Sequence, residues 1–538
     1  MKTIITSLFL IWIILLVQIQ SKGQQLIQND TTWASDTIKI YNDIVVEYPA
    51  TLTIEPGVYV EFQGNYSIEV TGKFKGIGSA GLPITFNIAD TNSFADTATM
   101  AGGWGGIKFM QNQNDTSTLS YCNFYYGKAV QPGTDPLNSS NENLKGGAIY
   151  VNGYANVLIE NCVFSNNTAS FSGGAIWAVN SQTLSIRNCI FSKNQVFDIG
   201  GGLWVNNVNK IEILNNIFKE NIAFRTGDTP LGTYITGGGS ALGLGSQTNN
   251  SIVSGNVITN NMGPGGAIYE TSYNCFIYNN AIVNNKGPAI FNGHSFSISS
   301  YYNNTIVNNN GFNHKMCGLV FFSTNIKMRN MIIFGNQSDE DEFWDPIQLW
   351  TLDEVKADFA YSCNPDEPVY YQGEGNIHED PQFVNPTAGA GPDYDGLAAD
   401  WSLLDSSPCV NTGTPDTTGL NLPATDLLGN PRIYGIRVDM GAIENQMVVG
   451  LPQNPLVNAR IQVAPNPFGQ SFKVIAPGRD KISSISLFNQ NGQQIATETM
   501  MPFEQMLVFD LAHQTPGLYL LVTHFADGST ETTKLVKY

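Results

Sequence analysis

Two sets of side chains have types and spacings that could do chemistry. The first is a row of aromatics: Tyr150, Trp177, Trp204, Tyr269 and Phe291. Flat rings at a regular spacing offer apolar faces to sugar rings or partner proteins, provided that they point outward. The second set is titratable. His294, His314 and Lys315 lie near corners of the repeat and could form a proton-transfer cluster. Asp339, Glu340, Asp341, Glu342 and Asp345 make the densest acidic run, in which Asp339, Asp341 and Asp345 could hold calcium through oxygen ligands. That run matches no EF-hand loop, and solvated loop residues are the simpler account of both titratable groups. No other cofactor is expected, because no C-x-x-C pair and no His/Cys cluster with zinc spacing occurs.

The aromatics belong to a repeat. Gly146-Gly147-Ala148-Ile149-Tyr150 recurs as Gly173-Gly174-Ala175-Ile176-Trp177, Gly200-Gly201-Gly202-Leu203-Trp204, Gly265-Gly266-Ala267-Ile268-Tyr269 and Gly287-Pro288-Ala289-Ile290-Phe291. A weaker copy, Gly238-Gly239-Ser240-Ala241-Leu242, puts Leu242 where the row is interrupted. A second ladder runs in phase: Asn161-Cys162-Val163-Phe164, Asn188-Cys189-Ile190-Phe191 and Asn215-Asn216-Ile217-Phe218, continued by Gly255-Asn256, Asn279-Asn280, Asn303-Asn304 and Asn330-Met331. Tyr121-Cys122-Asn123-Phe124 is an earlier member. Between them lie short β-branched alternating segments, and no sustained apolar stripe of helical period appears. Stacked coils follow, each burying its apolar face against its neighbours. Asparagine and glycine tolerate the left-handed corners of a parallel β-helix, and like residues stack about 4.8 Å apart. A β-propeller needs blades of about 40–50 residues, and the leucine-asparagine signature of leucine-rich repeats is absent. The stacking leaves the aromatic row either inside, with Ala148, Ala175 and Gly202 making room, or outside, opposite Ile149, Ile176, Leu203, Ile268 and Ile290.

Composition narrows the partners. Charged residues are 13% of the 538, against a typical ~25%, so the surface must be built from Asn, Ser, Thr, Gln and Gly. A net charge of −19 argues against nucleic acid and anionic membranes. Lys2, the apolar run 4–17 and Ser21-Lys22-Gly23 read as an export signal over residues 1–23. No later apolar run suits a membrane span, so an integral membrane protein is not expected. Of the seven cysteines, Cys122, Cys162 and Cys189 fall in the ladder as buried thiols, while Cys363 and Cys409 lie outside it and could pair.

Several stretches resemble known families. Thr51-Leu52-Thr53-Ile54-Glu55-Pro56-Gly57-Val58, Ile84-Thr85-Phe86 and Gly102-Gly103-Trp104-Gly105-Gly106-Ile107 resemble the opening of exported bacterial right-handed β-helix proteins, and the two ladders resemble the same group. From Ile347 the ladder stops. Asp380-Pro381-Gln382-Phe383, Ser407-Pro408-Cys409-Val410-Asn411 and Asp426 to Glu444 resemble a module that closes surface β-helices, with Asp426, Arg432, Asp439 and Glu444 as ion pairs that fix it. Val463-Ala464-Pro465-Asn466-Pro467-Phe468, Ile485-Ser486-Leu487-Phe488, Gly517-Leu518-Tyr519-Leu520-Leu521-Val522 and Lys534-Leu535-Val536-Lys537 resemble the C-terminal sorting domain of type IX secretion in Bacteroidetes. Together these imply an all-β chain: a right-handed parallel β-helix, a pectate-lyase-like solenoid, followed by a small immunoglobulin-like β-sandwich. The expected division is a signal peptide (1–23), the helix (24–346), its closing module (347–446), a linker (447–460) and the sorting domain (461–538).

Function is less legible. Pectate lyases need clustered calcium-binding aspartates and a base, polygalacturonases need paired aspartates and Gly-His-Gly, and chondroitinase-B-like lyases need a lysine-arginine pair in their own signature. None is present, and Asn292-Gly293-His294 is not Gly-His-Gly. The expectation is a secreted or cell-surface scaffold, adhesin-like or glycan-binding, with the type IX machinery engaging 461–538 and an extracellular polysaccharide or surface glycan as ligand. The alternative is a polysaccharide lyase or glycoside hydrolase, whose catalytic residues the sequence does not identify.

Overall fold

In the computed structural model, corner residues set the winding. Asn161, Asn188, Asn215, Asn279, Asn303 and Asn330 hold φ between 50° and 57°, and Gly255 takes the same place at 68°. Asparagine accepts this left-handed region because its short polar side chain bonds locally. The structure describes residues 23–112, 114–136, 138–223, 225–229, 232–236, 238–311, 316–323, 325–338, 347–351, 358–365, 373–446, 461–466, 468–475, 482–489, 491–498, 506–525 and 529–537. The proposed export signal through residue 22, His314 and Lys315, the acidic residues Asp339, Asp341 and Asp345, and the linker 447–460 lie outside these residues.

Each coil has three faces. On the first, Ile68, Ile107, Ile149, Ile176, Leu203, Leu242, Ile268, Ile290 and Leu319 stack in parallel register and point inward, all at 0% exposure. The first and second faces merge into a 22-stranded sheet, because strands Ile176–Arg187 and Leu203–Leu214 run unbroken round the corner. The third face is an 11-stranded sheet. Its inward row stacks Phe86, Phe124, Phe164, Phe191 and Phe218 with ring centroids 4.9, 4.7, 4.8 and 4.6 Å apart. Ile258, Ile282, Ile306 and Ile333 extend that row. Stacking continues beyond residue 346, where the ladder motifs end: strand Ile347–Thr351 pairs with Met316–Phe321, and Asp358–Ala360 with Lys327–Arg329.

A coil corner leaves backbone groups that no strand partner reaches, and buried side chains satisfy them. Asn167, Asn194, Asn221, Asn261, Asn285, Asn309 and Asn336 form a column in which each Nδ2 donates to the next Oδ1 at 2.8–2.9 Å. Asn194 Nδ2 also donates to the Phe164 carbonyl at 3.0 Å, and its Oδ1 accepts the Asn167 backbone N–H at 3.1 Å. A second column runs Cys122, Cys162, Cys189, Asn216, Asn256, Asn280 and Asn304; the Cys162 N–H meets Cys189 Sγ at 3.4 Å, and the Cys189 N–H meets Asn216 Oδ1 at 2.8 Å. Thiol and amide thus serve one position. All seven cysteines are buried and none is in a disulfide; Cys363 and Cys409 share the small core beneath the closing module.

That module acts as a lateral clasp. It covers the outward row of the third face in the later coils, packing Phe383, Trp401, Leu403, Met440 and Ile443 on Ala281, Val283, Val307 and Ile332. Corner asparagines tie it down: Asn260 Nδ2 donates to the Pro392 and Tyr394 carbonyls, and Asn303 Nδ2 to that of Asp439. Arg432 lies within it, 2% exposed, donating to Asn279 Oδ1 at 3.2 Å and to the Asp439 and Gly441 carbonyls, with Glu444 at 3.4 Å. The last segment is a small β-sandwich. Strands Gln462–Ala464, Ser471–Ile475 and Met506–Asp510 form one sheet, and Ile482–Asn489, Gln494–Glu498, Gly517–Phe525 and Thr530–Lys537 the other. Phe468, Phe472, Leu487, Leu521 and Leu535 fill its core.

Two predictions follow from these contacts. Asn194→Ala strands the Asn167 N–H and the Phe164 carbonyl, so it should cost about 3 kcal/mol. Asn207→Gly, at φ 50° with an exposed side chain that donates to Asn180 Oδ1 at 2.7 Å, should cost less than about 1 kcal/mol; urea melts of both variants check the contrast. Burial, then repulsion from Asp439, pushes Glu444 up to about 7, against the pull of Arg432. The folded protein therefore holds a proton that the unfolded chain releases. The stability from this group is complete below its ordinary range and is lost as pH rises through about 7. Between about pH 5 and pH 8 the melting temperature should fall, and Glu444→Gln should flatten that fall.

Candidate functional site

Register decides which way the aromatic row points. With Ile149, Ile176, Leu203, Ile268 and Ile290 directed inward, alternation turns their neighbours out. The outward row of the first face reads Glu69, Lys108, Tyr150, Trp177, Trp204, Gly243, Tyr269, Phe291 and Val320. Gly243, rather than Leu242, interrupts the stripe; Leu242 stands in the inward row, one residue out of step with the motif alignment. The cause is steric, since a Cβ on Gly243 would lie 2.3 Å from Trp204 Cε3. The indole leans across that coil.

The interruption leaves two sectors. In the first, Tyr150 and Trp177 stack at 4.7 Å and are 2% and 7% exposed, although they lie outside the solenoid core. They are roofed by the 3-10 turn Glu142–Leu144 and the lysine after it: Lys145 Nζ sits 4.6 Å from the Trp177 ring centroid and 5.8 Å from that of Phe171. In the second sector no such roof forms among the described residues. Tyr269 and Phe291 stack at 5.6 Å, Phe322 lies 5.4 Å from Phe291, and all three rings stay partly exposed.

Beside the roofed sector is a groove of about 310 Å³, lined among others by Asp43, Asn65, Lys108, Lys128, Glu142 and Lys145. Lys128 is a structural cation: its ammonium donates to the carbonyls of Ser93, Asp96 and Ala101 at 2.9, 2.9 and 2.7 Å. Lys108 Nζ donates to Asn143 Oδ1 at 3.3 Å. Asp43 Oδ1 accepts from the Ser67 N–H and hydroxyl. Glu142, at the exposed rim, accepts from Asn152 Nδ2 at 3.2 Å. Burial and the Glu142 carboxylate push the Tyr150 phenol up, while burial pulls Lys145 down. The arrangement can bind through charge and amide groups, and it sets two carboxylates and three amines on one groove.

Sequence reasoning did not find this groove. Its signal was a spacing: Cys122 to Cys162 spans 40 residues, while Cys162 to Cys189 spans 27. The extra residues carry the turn that supplies Glu142 and Lys145. A buried carboxylate was also missed. Glu270 is 0% exposed and accepts from Ser272 and Ser299 hydroxyls at 2.5 and 2.6 Å, from Asn292 Nδ2 at 2.6 Å and from the Tyr301 hydroxyl at 2.5 Å. Asn292 is therefore occupied inside the coil. The His294 backbone N–H donates to Asn292 Oδ1 at 3.2 Å and its Nδ1 accepts the Phe296 N–H at 3.1 Å, while its proposed partners His314 and Lys315 are outside the described residues. Among the described residues no group of three or more His, Cys, Asp or Glu side chains could hold a metal ion.

Comparison with known proteins fits this architecture. Residues 137–282 match the family model for a right-handed β-helix region, and residues 462–538 match that for a secretion system C-terminal sorting domain. The chain is a right-handed β-helix protein with a type IX sorting domain. No curated protein matches it. Among solved structures, a mutant tailspike protein of E. coli bacteriophage HK620, in complex with a pentasaccharide, is similar at 11% identity over 96% of this chain and 86% of that one, with a TM-score of 0.18. The sorting domain marks this β-helix protein for secretion to the cell surface or beyond. Among the described residues no helix is long and apolar enough to cross a membrane.

The two sectors of the β-helix protein should respond differently to truncation. Trp177→Ala empties a roofed site and should cost about 3 kcal/mol, whereas Phe291→Ala should cost less than about 1 kcal/mol. Denaturant melts of the two variants check this; equal costs would mean that the roof does not close over Trp177.

Proposed function

We propose that this secreted β-helix protein is a glycan-binding or adhesin-like scaffold that uses the outward face of its first sheet. The observation that carries the reading is the partly exposed apolar row of the second sector, where Tyr269 stacks on Phe291 at 12° and Phe322 is turned 43° from Phe291. Sugar rings present C–H faces, and planar side chains with low conformational entropy bind them at small ordering cost. A rigid scaffold holds such rings at fixed separations, which suits a repeating polymer. In its later coils the third face is covered by the closing module. Residues 461–538 are taken as the address read by the type IX machinery, and the five-part division of the chain is part of this proposal.

Affinity electrophoresis against a panel of plant and bacterial polysaccharides tests it. At least one polysaccharide should retard the full chain. A Tyr269→Ala, Phe291→Ala double variant should lose at least tenfold in affinity, with its melting temperature within about 4 °C of the parent. Absence of retardation by every polysaccharide, or retardation unaffected by the double variant, would overturn the reading.

One observation favours the second reading, a lyase or hydrolase: Glu142, Lys108 and Lys145 converge on one groove. Acid–base chemistry needs such groups within reach of a bound sugar. Under the scaffold reading, no retained polysaccharide gains reducing ends or the ultraviolet absorbance of an unsaturated uronate on prolonged incubation.

A further inference from the structure

Lys145 is the cation that the fold leaves short of acceptors. It is 8% exposed and lines the groove beside the roofed aromatics. Its ammonium faces the rings of Trp177 and Phe171, and among the described residues it has no hydrogen-bond acceptor. Glu142 attracts it without forming an ion pair. An ammonium carries three donors; ring faces meet part of its charge, and because its nitrogen is not sealed from solvent the remaining donors face the water of the groove. Lys128, in the same groove, shows the alternative, with three carbonyls at its three protons. The contrast marks Lys145 as a donor set aside for something that enters the groove.

The surroundings say what that is. The chain carries 26 Lys and Arg against 45 Asp and Glu, yet Lys108, Lys128 and Lys145 meet in one groove. Of the two carboxylates there, Asp43 is occupied by Ser67, and Glu142 stands at the exposed rim. The roofed Tyr150 and Trp177 offer no free ring face for stacking, so recognition here must be polar. The volume of about 310 Å³ lies at the lower end of the ~300–1,000 Å³ typical of ligand sites, enough for a single sugar unit and its substituent.

We propose that this groove is a subsite for an anionic sugar, in which Lys145 and Lys108 bind the carboxylate or sulfate of an acidic glycan whose neighbouring units extend along the outward aromatic row. The inference rests on the glycan-binding reading above and adds the substrate class. The shared chemistry is a saccharide-borne oxyanion. Its two sources, a uronate carboxylate and a sulfate ester, form separate arms of the test.

Isothermal titration of the full chain uses three probes: an oligogalacturonate, a chondroitin sulfate oligosaccharide and a neutral malto-oligosaccharide of equal length. At least one acidic probe should bind at least tenfold more tightly than the neutral one, with affinity falling as salt is added. Lys145→Gln should lower that affinity at least tenfold and Lys145→Arg should restore most of it. A melting curve for each variant separates loss of binding from loss of fold, and Lys108→Gln provides a second variant outside the roof. Equal affinity for acidic and neutral probes, or acidic binding unaffected by both glutamine variants, would overturn the subsite. If neutral polysaccharides still bind and the Tyr269→Ala, Phe291→Ala pair abolishes that binding, the glycan reading survives the loss of the subsite. If no glycan binds, both fall.

Discussion

The buried asparagine amide is the interaction on which the rest of the structure depends. A solenoid must turn a corner several times per coil, and each turn takes backbone N–H and C=O groups away from their strand partners. Inside the stack, water is not available to satisfy them. The primary amide suits this place because it carries donors and an acceptor on a short arm. Asn194 illustrates it: the side chain pairs with the amide above, the amide below and two backbone groups. Such a residue admits one register between coils. The aromatic rows then inherit that register, inward as the phenylalanine column and outward as the stripe.

Three faces built on the same ladder have different fates because of what their outward rows carry. On the third face that row becomes small and apolar in the later coils, as Ala281, Val283, Val307 and Ile332, and the closing module buries it. On the first face it carries Lys108, Tyr150, Trp177, Trp204, Tyr269 and Phe291. A single turn around Lys145 roofs part of it. The face that keeps both charge and ring surface within reach of solvent is the one suited to a polymeric ligand.

Much of this was legible in the sequence because a stacked fold repeats itself. The period gave the coils, the Asn-Cys and Asn-Asn pairs gave the corners, and the alternation of Ile149 with Tyr150 gave two opposed rows. What was missed came from interactions that break the period. The weak copy at Gly238 was aligned one residue early, because its first glycine looks like the others while Trp204 decides which position must lack a side chain. The stripe's half-buried state could not be read locally, since Lys145 and Glu142 arrive from an insertion. The lateral role of the closing module was foreshadowed by Ala281-Ile282-Val283 and Ile332-Ile333-Phe334, unbroken apolar runs of the kind that strands buried on both faces carry. The groove left only a longer spacing between two cysteines as its trace.

Hydrogen–deuterium exchange of the full chain, with and without a saturating acidic oligosaccharide, tests the central claim most directly. A ligand on the outward first face should slow exchange in peptides covering residues 105–112, 141–152 and 176–180, and leave the clasped third face and the sorting domain unchanged. Protection confined to residues 461–537, to the third face, or absent throughout while the oligosaccharide is bound would contradict it.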